Sequence, residues 1–235
     1  MAKSSTVEEA VFYAKETLEY GWSRAVLVHQ MESGLFARKG KAITNFKRTL
    51  PEETSDLAAQ SLKDPYNFDF LSMTEDYNER ELENALINQI TQFLLELGTG
   101  FAYVGKQYEL HVGDSDFALD LLFYHIKLKC YVVVELKTTK FEPSYTGQLK
   151  FYMTAINKQV KEESDKPTIG ILICKYKDEV AEYALEDITQ PMGITEYQLG
   201  KALSDAVKGS LPSIESIESE IKKVEEAETP EYFRY

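Results

Sequence analysis

The chain has 235 residues, 43% of them hydrophobic and 12% aromatic, and a formal net charge of −13. That is length enough for one sizeable core, with no apolar run near the roughly 18–20 residues of a membrane helix and no apolar h-region near the start to mark a secretory signal. The acidic balance taken alone argues against a polyanionic partner, yet Lys127, Lys129, Lys137, Lys140, Lys150, Lys158 and Lys161 fall in one stretch while the residues from Ser213 onward are dominated by glutamate.

In chain order, residues 6–21 are expected to form a helix. Thr6 is its N-cap, Val11, Phe12, Ala14 and Leu18 form its apolar stripe, and Gly21 ends it. A second helix in "WSRAVLVHQMESG" starts at Ser23 and ends at Gly34. The stretch "ARKGKAITNFKRTLP" reads as basic and irregular, and residues 51–66 as a polar linker. The long helix of the front half is "TEDYNERELENALINQITQFLLELG", with capping-box spacing at Ser72 and Glu75, core positions at Leu82, Leu86, Phe93, Leu94 and Leu97, and a stop at Gly98.

The period then changes to two. "FAYVGKQYELHV", "DFALDLLFYH" and "CYVVVELKT" read as three strands, the last two joined tightly through "HIKLK". "EPSYTGQLKFYMTAINKQVK" returns to a helical pattern, "PTIGILICK" is a buried strand, "KDEVAEYALEDI" a helix, "GITEYQL" an edge-like strand and "SIESIESEIKKVEEAE" a charged peripheral helix. A crossover helix between the third and fourth strands implies a parallel pair, so the fold class is α/β: a mixed sheet flanked by helices. Cys130 and Cys174 lie in apolar stretches and read as reduced, buried thiols, which fits a cytoplasmic address.

Three charges interrupt the two most apolar strands: Asp120 in the second, Glu135 and Lys137 in the third. Alternation puts Glu135 and Lys137 on one face and Leu136 on the other. A hairpin through "HIKLK" would bring Asp120 beside Glu135, and two carboxylates plus water suit Mg²⁺, with a lysine at hand for developing charge. A Glu-x-Lys at a strand end is ordinarily a solvated edge or an ion pair. Three charges breaking two buried strands are costly without a function.

An Asp followed by Glu-x-Lys at the end of an apolar strand resembles the PD-(D/E)XK nuclease core, and "ERELENAL", "FLLELGTGFAYVGKQYEL", "DFALDLLFYH", "VVVELKTTKFEPSYTGQLKFYM" and "PTIGILICK" resemble the YhcG-like family within that superfamily. "GWSRAVLVHQMESGLFARKGKAITNF" and "LKDPYNFDFL" carry the likeness upstream, so that it spans about Val7 to about Leu199. The resemblance implies a restriction-endonuclease-like fold with a short helical N-terminal segment, and a nuclease that hydrolyses phosphodiester bonds, in DNA by expectation, through a Mg-activated water, with Mn able to substitute. It implies Asp120 and Glu135 as metal ligands, Lys137 at the attacking water, Gln148 as a supporting glutamine, and Glu83 as the first-helix glutamate that reaches the metal. Leu119 stands where the superfamily's name has proline.

The expected division is residues 1–66 as remnant of a longer helical region plus linker, 67–200 as the nuclease-like core, and 201–235 as an acidic helix or tail. Lys140, Lys150 and Lys158 flank the site and are candidates for phosphate positioning, and Arg38, Lys39 and Lys41 are candidates to track a nucleic-acid backbone. The partner expected is nucleic acid, with no membrane, and a homodimer if both strands of a duplex are cut. The rival reading keeps the fold as a non-cleaving nucleic-acid-binding module or subunit. Nothing in the chain supports a zinc site, a serine hydrolase or an NTPase loop.

Overall fold

The computed structural model describes residues 4, 6–73 and 76–199. The expected C-terminal helix lies outside the described residues. Helix α1 (Val7–Tyr20) starts where the Thr6 side chain accepts the Glu9 N–H at 3.1 Å and stops at Gly21 in a left-handed conformation, φ 62°. Helix α2 (Arg24–Glu32) is capped by Ser23 and α3 (Leu35–Arg38) follows Gly34.

The next segment departs from expectation. The stretch read as irregular contains strand β1 (Ile43–Thr44) and helix α4 (Phe46–Thr49), and the stretch read as a linker contains α5 (Glu52–Gln60) and reaches β2 (Tyr66–Asn67). Its polar sequence hides single apolar anchors: Phe46, Ala58, Leu62 and Tyr66 are all buried in the main core. This segment is fixed by a buried charge cluster. Glu96 takes Arg38 at 2.5 Å, Lys63 at 3.5 Å and the Asn67 N–H at 2.7 Å.

The long helix is two helices, α6 (Glu79–Asn88) and α7 (Ile90–Leu97), parted at Gln89, where φ is −111° and ψ 36°. Its start is set by Asn78 and Glu81 rather than Ser72 and Glu75. Asn78 accepts the Glu81 N–H at 3.0 Å while Glu81 accepts the Asn78 N–H at 2.8 Å, a reciprocal cap. Leu82, Leu86, Phe93 and Leu97 then enter the core as read.

Strands β3 (Phe101–Val112), β4 (Ser115–His125) and β5 (Cys130–Lys140) form an antiparallel meander. Helix α8 (Ser144–Gln159) crosses to β6 (Ile169–Tyr176), parallel to β5, and α9 (Val180–Glu186) to β7 (Met192–Gln198), parallel to β6. The sheet order is β1-β7-β6-β5-β4-β3, with β2 also beside β7. The strand expected at the edge is therefore interior, because β1 and β2 cover it.

Alternation along β4–β6 sorts the core into two layers. Leu121, Phe123, Val132, Val134, Leu136, Ile171 and Ile173 pack against α6 and α7, while Leu122, Val133, Leu172 and Cys174 pack against α8 and α9. This is the expected mixed sheet with helices on both faces. Cys130 and Cys174 are free and buried. Among the described residues no helix is long and apolar enough to cross a membrane.

Candidate active site

The β4–β5 ladder runs from His125 opposite Cys130 to Leu121 opposite Val134 and goes no further. The next pair in register would be Asp120 and Glu135. There each carboxylate accepts a main-chain N–H of the facing strand: Glu135 Oε1 accepts the Asp120 N–H at 3.1 Å, and Asp120 Oδ2 accepts the Leu136 N–H at 2.9 Å. Beyond this point β5 stays paired with β6 through Glu135, Leu136 and Lys137, and β4 stays with β3. The sheet thus splits, with both acids anchored in the opening by main-chain hydrogen bonds. The expected meeting of Asp120 and Glu135 is what the backbone produces, and Leu136 points away into the α6–α7 core.

Lys137 completes the cluster. Its Nζ lies 3.8 Å from Glu135 and 3.3 Å from Glu79 in the first turn of α6, and sits over the Tyr145 ring at 5.3 Å. Glu83, one turn further along α6, is buried at 2% exposure beside Leu82 and Leu86. It does not touch the other acids directly. The Gln107 side-chain amide on β3 donates to Glu83 Oε2 and, at 3.4 Å, to Asp120 Oδ1, and so joins the two. Sequence reasoning missed Gln107, since a glutamine in an alternating strand carries no signal of its own.

The electrostatics follow from this crowding. Glu135 is 1% exposed. Burial first, and then the charge of Asp120, raises its carboxyl to about 8 against the pull of the Asp120 N–H and Lys137. Asp120 is also raised, again by burial above all, with Leu136 N–H and Lys137 opposing and Glu83 and Glu79 adding. For Lys137 burial works toward neutrality, but Glu135, Glu79 and Asp120 outweigh it, so its ammonium is held more firmly than usual. Three carboxylates, Glu135, Glu79 and Asp120, act on one ammonium, and two of them, Glu135 and Asp120, resist ionising.

Gln148, expected at the site, donates to the Tyr152 hydroxyl one turn along α8 at 3.1 Å. Tyr152 in turn is raised by burial and feels the Glu135 and Asp120 charges, so this pair borders the acids without bonding to them. Lys140 pairs with Asp178 at 2.6 Å, and Lys150 and Lys158 are exposed on α8. Arg38 does not serve as a surface cation: its guanidinium is held inside by Glu96, Pro65 O and Ser33. Lys39 is tied to Glu16 at 2.6 Å, and Lys41 lines a separate groove with Lys47, Glu182 and Tyr183. His125 is a buried core histidine, with Nδ1 accepting the Leu128 N–H at 3.1 Å.

The donor set suits a hard divalent cation. Among the described residues no three His, Cys, Asp or Glu side chains form a ready-made cage. Two anchored carboxylates form a few-ligand set on which a hard divalent cation would keep much of its water.

Residues 59–212 match the family model described as the YhcG PDDEXK nuclease domain. Over 192 residues the chain is 35% identical to a protein of Escherichia coli (strain K12) named "Putative nuclease YhcG", an alignment covering 80% of this chain and 51% of that protein. The chain thus spans about half the length of the curated relative it matches. Solved structures similar to it include a repair endonuclease from Pyrococcus abyssi (21% identity, 54% of this chain and 49% of that one, TM-score 0.36) and an EndoMS complex with double-stranded DNA (20% identity, 54% and 46%, TM-score 0.37).

Proposed function

We propose, for a chain that belongs to the YhcG-like family of PD-(D/E)XK nucleases, that it is a divalent-metal-dependent endonuclease that hydrolyses phosphodiester bonds, with DNA as substrate and Mg²⁺ as the metal. The observation that carries the reading is the pair of half-buried Asp120 and buried Glu135, each anchored by the facing strand in the opening of the sheet, with Lys137 beside them. Asp120 and Glu135 would hold the ion, and Glu83 stands next to them through Gln107. Bound there, the metal would supply Lewis acidity to the phosphate and to the attacking water.

The protein's own groups do the rest. The main-chain N–H groups of Asp120 and Leu136 fix the two carboxylates, so their spacing is set by backbone. Lys137 stays protonated among its carboxylates and acts as a charged donor to a non-bridging phosphate oxygen, where negative charge grows in the transition state. Lys150 and Lys158, exposed on the helix that carries Gln148, would attract the phosphate backbone.

The test is to incubate the protein with plasmid and with single- and double-stranded oligonucleotides in Mg²⁺, Mn²⁺ or EDTA. Cleavage should need the divalent ion and fall by about 10²-fold or more in Glu135→Ala. Cleavage that survives EDTA or that substitution would overturn the reading. Salt-dependent binding without cutting in any metal would favour the non-cleaving binding module instead.

A further inference from the structure

Gln107 departs from its strand in two independent ways. Its φ is +45°, a left-handed value that strains any residue with a side chain. It is also skipped by the ladder: Lys106 pairs with Leu121 and Tyr108 with Leu119, while the register partner of Gln107 would be Asp120. The result of this local distortion is the aim of its side chain. The amide nitrogen bridges Glu83 of α6 and Asp120 of β4, two carboxylates that would otherwise repel. The fold thus tolerates a strained residue opposite one of its acids, and the side chain delivered there has hydrogens to give to both.

We propose that Gln107 is a positioning residue of the metal centre: it joins the α6 carboxylate to the β4 carboxylate and so makes Glu83 part of the site. This rests on the reading of Asp120 and Glu135 as metal ligands. An amide that donates to one oxygen of each carboxylate fixes their mutual orientation, as the Leu136 N–H already fixes the other oxygen of Asp120, and outer partners that orient metal ligands in this way raise affinity. Among the described residues no other hydrogen bond reaches the Glu83 side chain, and Gln107 alone ties that carboxylate to Asp120.

The experiment is calorimetric titration of the whole chain with Mn²⁺, without nucleic acid, for wild type, Gln107→Gly, Gln107→Asn and Glu135→Gln, each checked for native circular dichroism. Glycine suits the positive φ, and asparagine suits it too but holds its amide one methylene short. Both Gln107 variants should bind Mn²⁺ roughly ten-fold or more weakly than wild type, and raising Mn²⁺ should recover their cleavage. A glycine variant whose Mn²⁺ affinity stays within about three-fold of wild type, while Glu135→Gln loses it, overturns the role of Gln107 and leaves the nuclease reading standing. Wild-type protein that takes up no Mn²⁺, or a Glu135→Gln variant that binds it as well, sinks both.

Discussion

Glu135 is held where its charge is unwelcome, and that has a measurable sign. Its carboxyl titrates higher in the folded chain, about 8, than in the unfolded one, near the ordinary glutamate value. A carboxyl raised by folding adds stability that is full below the unfolded value and lost as pH climbs through the folded one. Metal-free protein should therefore become less stable between about pH 5 and pH 9. Glu135→Gln should flatten that slope and stabilise the chain at pH 9 by an amount on the order of 1–3 kcal/mol, read from chemical denaturation in EDTA. A wild-type slope equal to that of the variant would show that the site does not strain its acid. Asp120, Glu135 and Lys137 were legible in the sequence because charge in an apolar strand needs a reason. Gln107 was not, since its contribution comes from one left-handed residue and one skipped pair, which alternation conceals. Arg38 was read as a surface cation because its partner Glu96 stands 58 residues away in the chain.

Helix α6 shows how an element sets a site from a distance. Its register over the sheet places Glu79 on Lys137 and Glu83 on Gln107, while its first turn is closed by Asn78 and Glu81. Asn78→Ala removes that closure and should cost about 1 kcal/mol, lowering the melting temperature by a few degrees. A fraying first turn frees Glu79, so Lys137 loses one carboxylate, and cleavage should drop by a small factor while nucleic-acid binding is retained. Unchanged melting with full activity would mean that the cap is idle. The order of the main strands and the crossover helices could be read from periodicity, because each carries many residues of one period. The cap could not be placed, since "SMTEDYNERE" offers two successive candidates, Ser72 with Glu75 and Asn78 with Glu81, and the two-residue strands β1 and β2 are too short to show any period at all.

At the scale of the molecule, the segment before the long helical region is structural. Glu96 gathers Arg38, Lys63 and Asn67, and burial lowers the Lys63 ammonium to about 8, with Glu96 opposing that fall. Removing one member of such a buried set leaves the others unpaired, which is far more costly than losing a surface ion pair. Composition predicted a polar linker here because it averages over residues, whereas Phe46, Leu62 and Tyr66 act singly. The family match begins at residue 59, well after β1.

That short strand has a practical meaning. Cutting the protein back to its matched portion would strip Ile43 and Thr44 from Ile194 and Gly193. It would leave one flank of β7 with bare amide and carbonyl groups, an inviting template for a neighbouring molecule. Such a shortened chain should emerge from size-exclusion chromatography as self-associated species where the intact one emerges at its expected size. Two residues that carry no chemistry thus act as a guard against clumping.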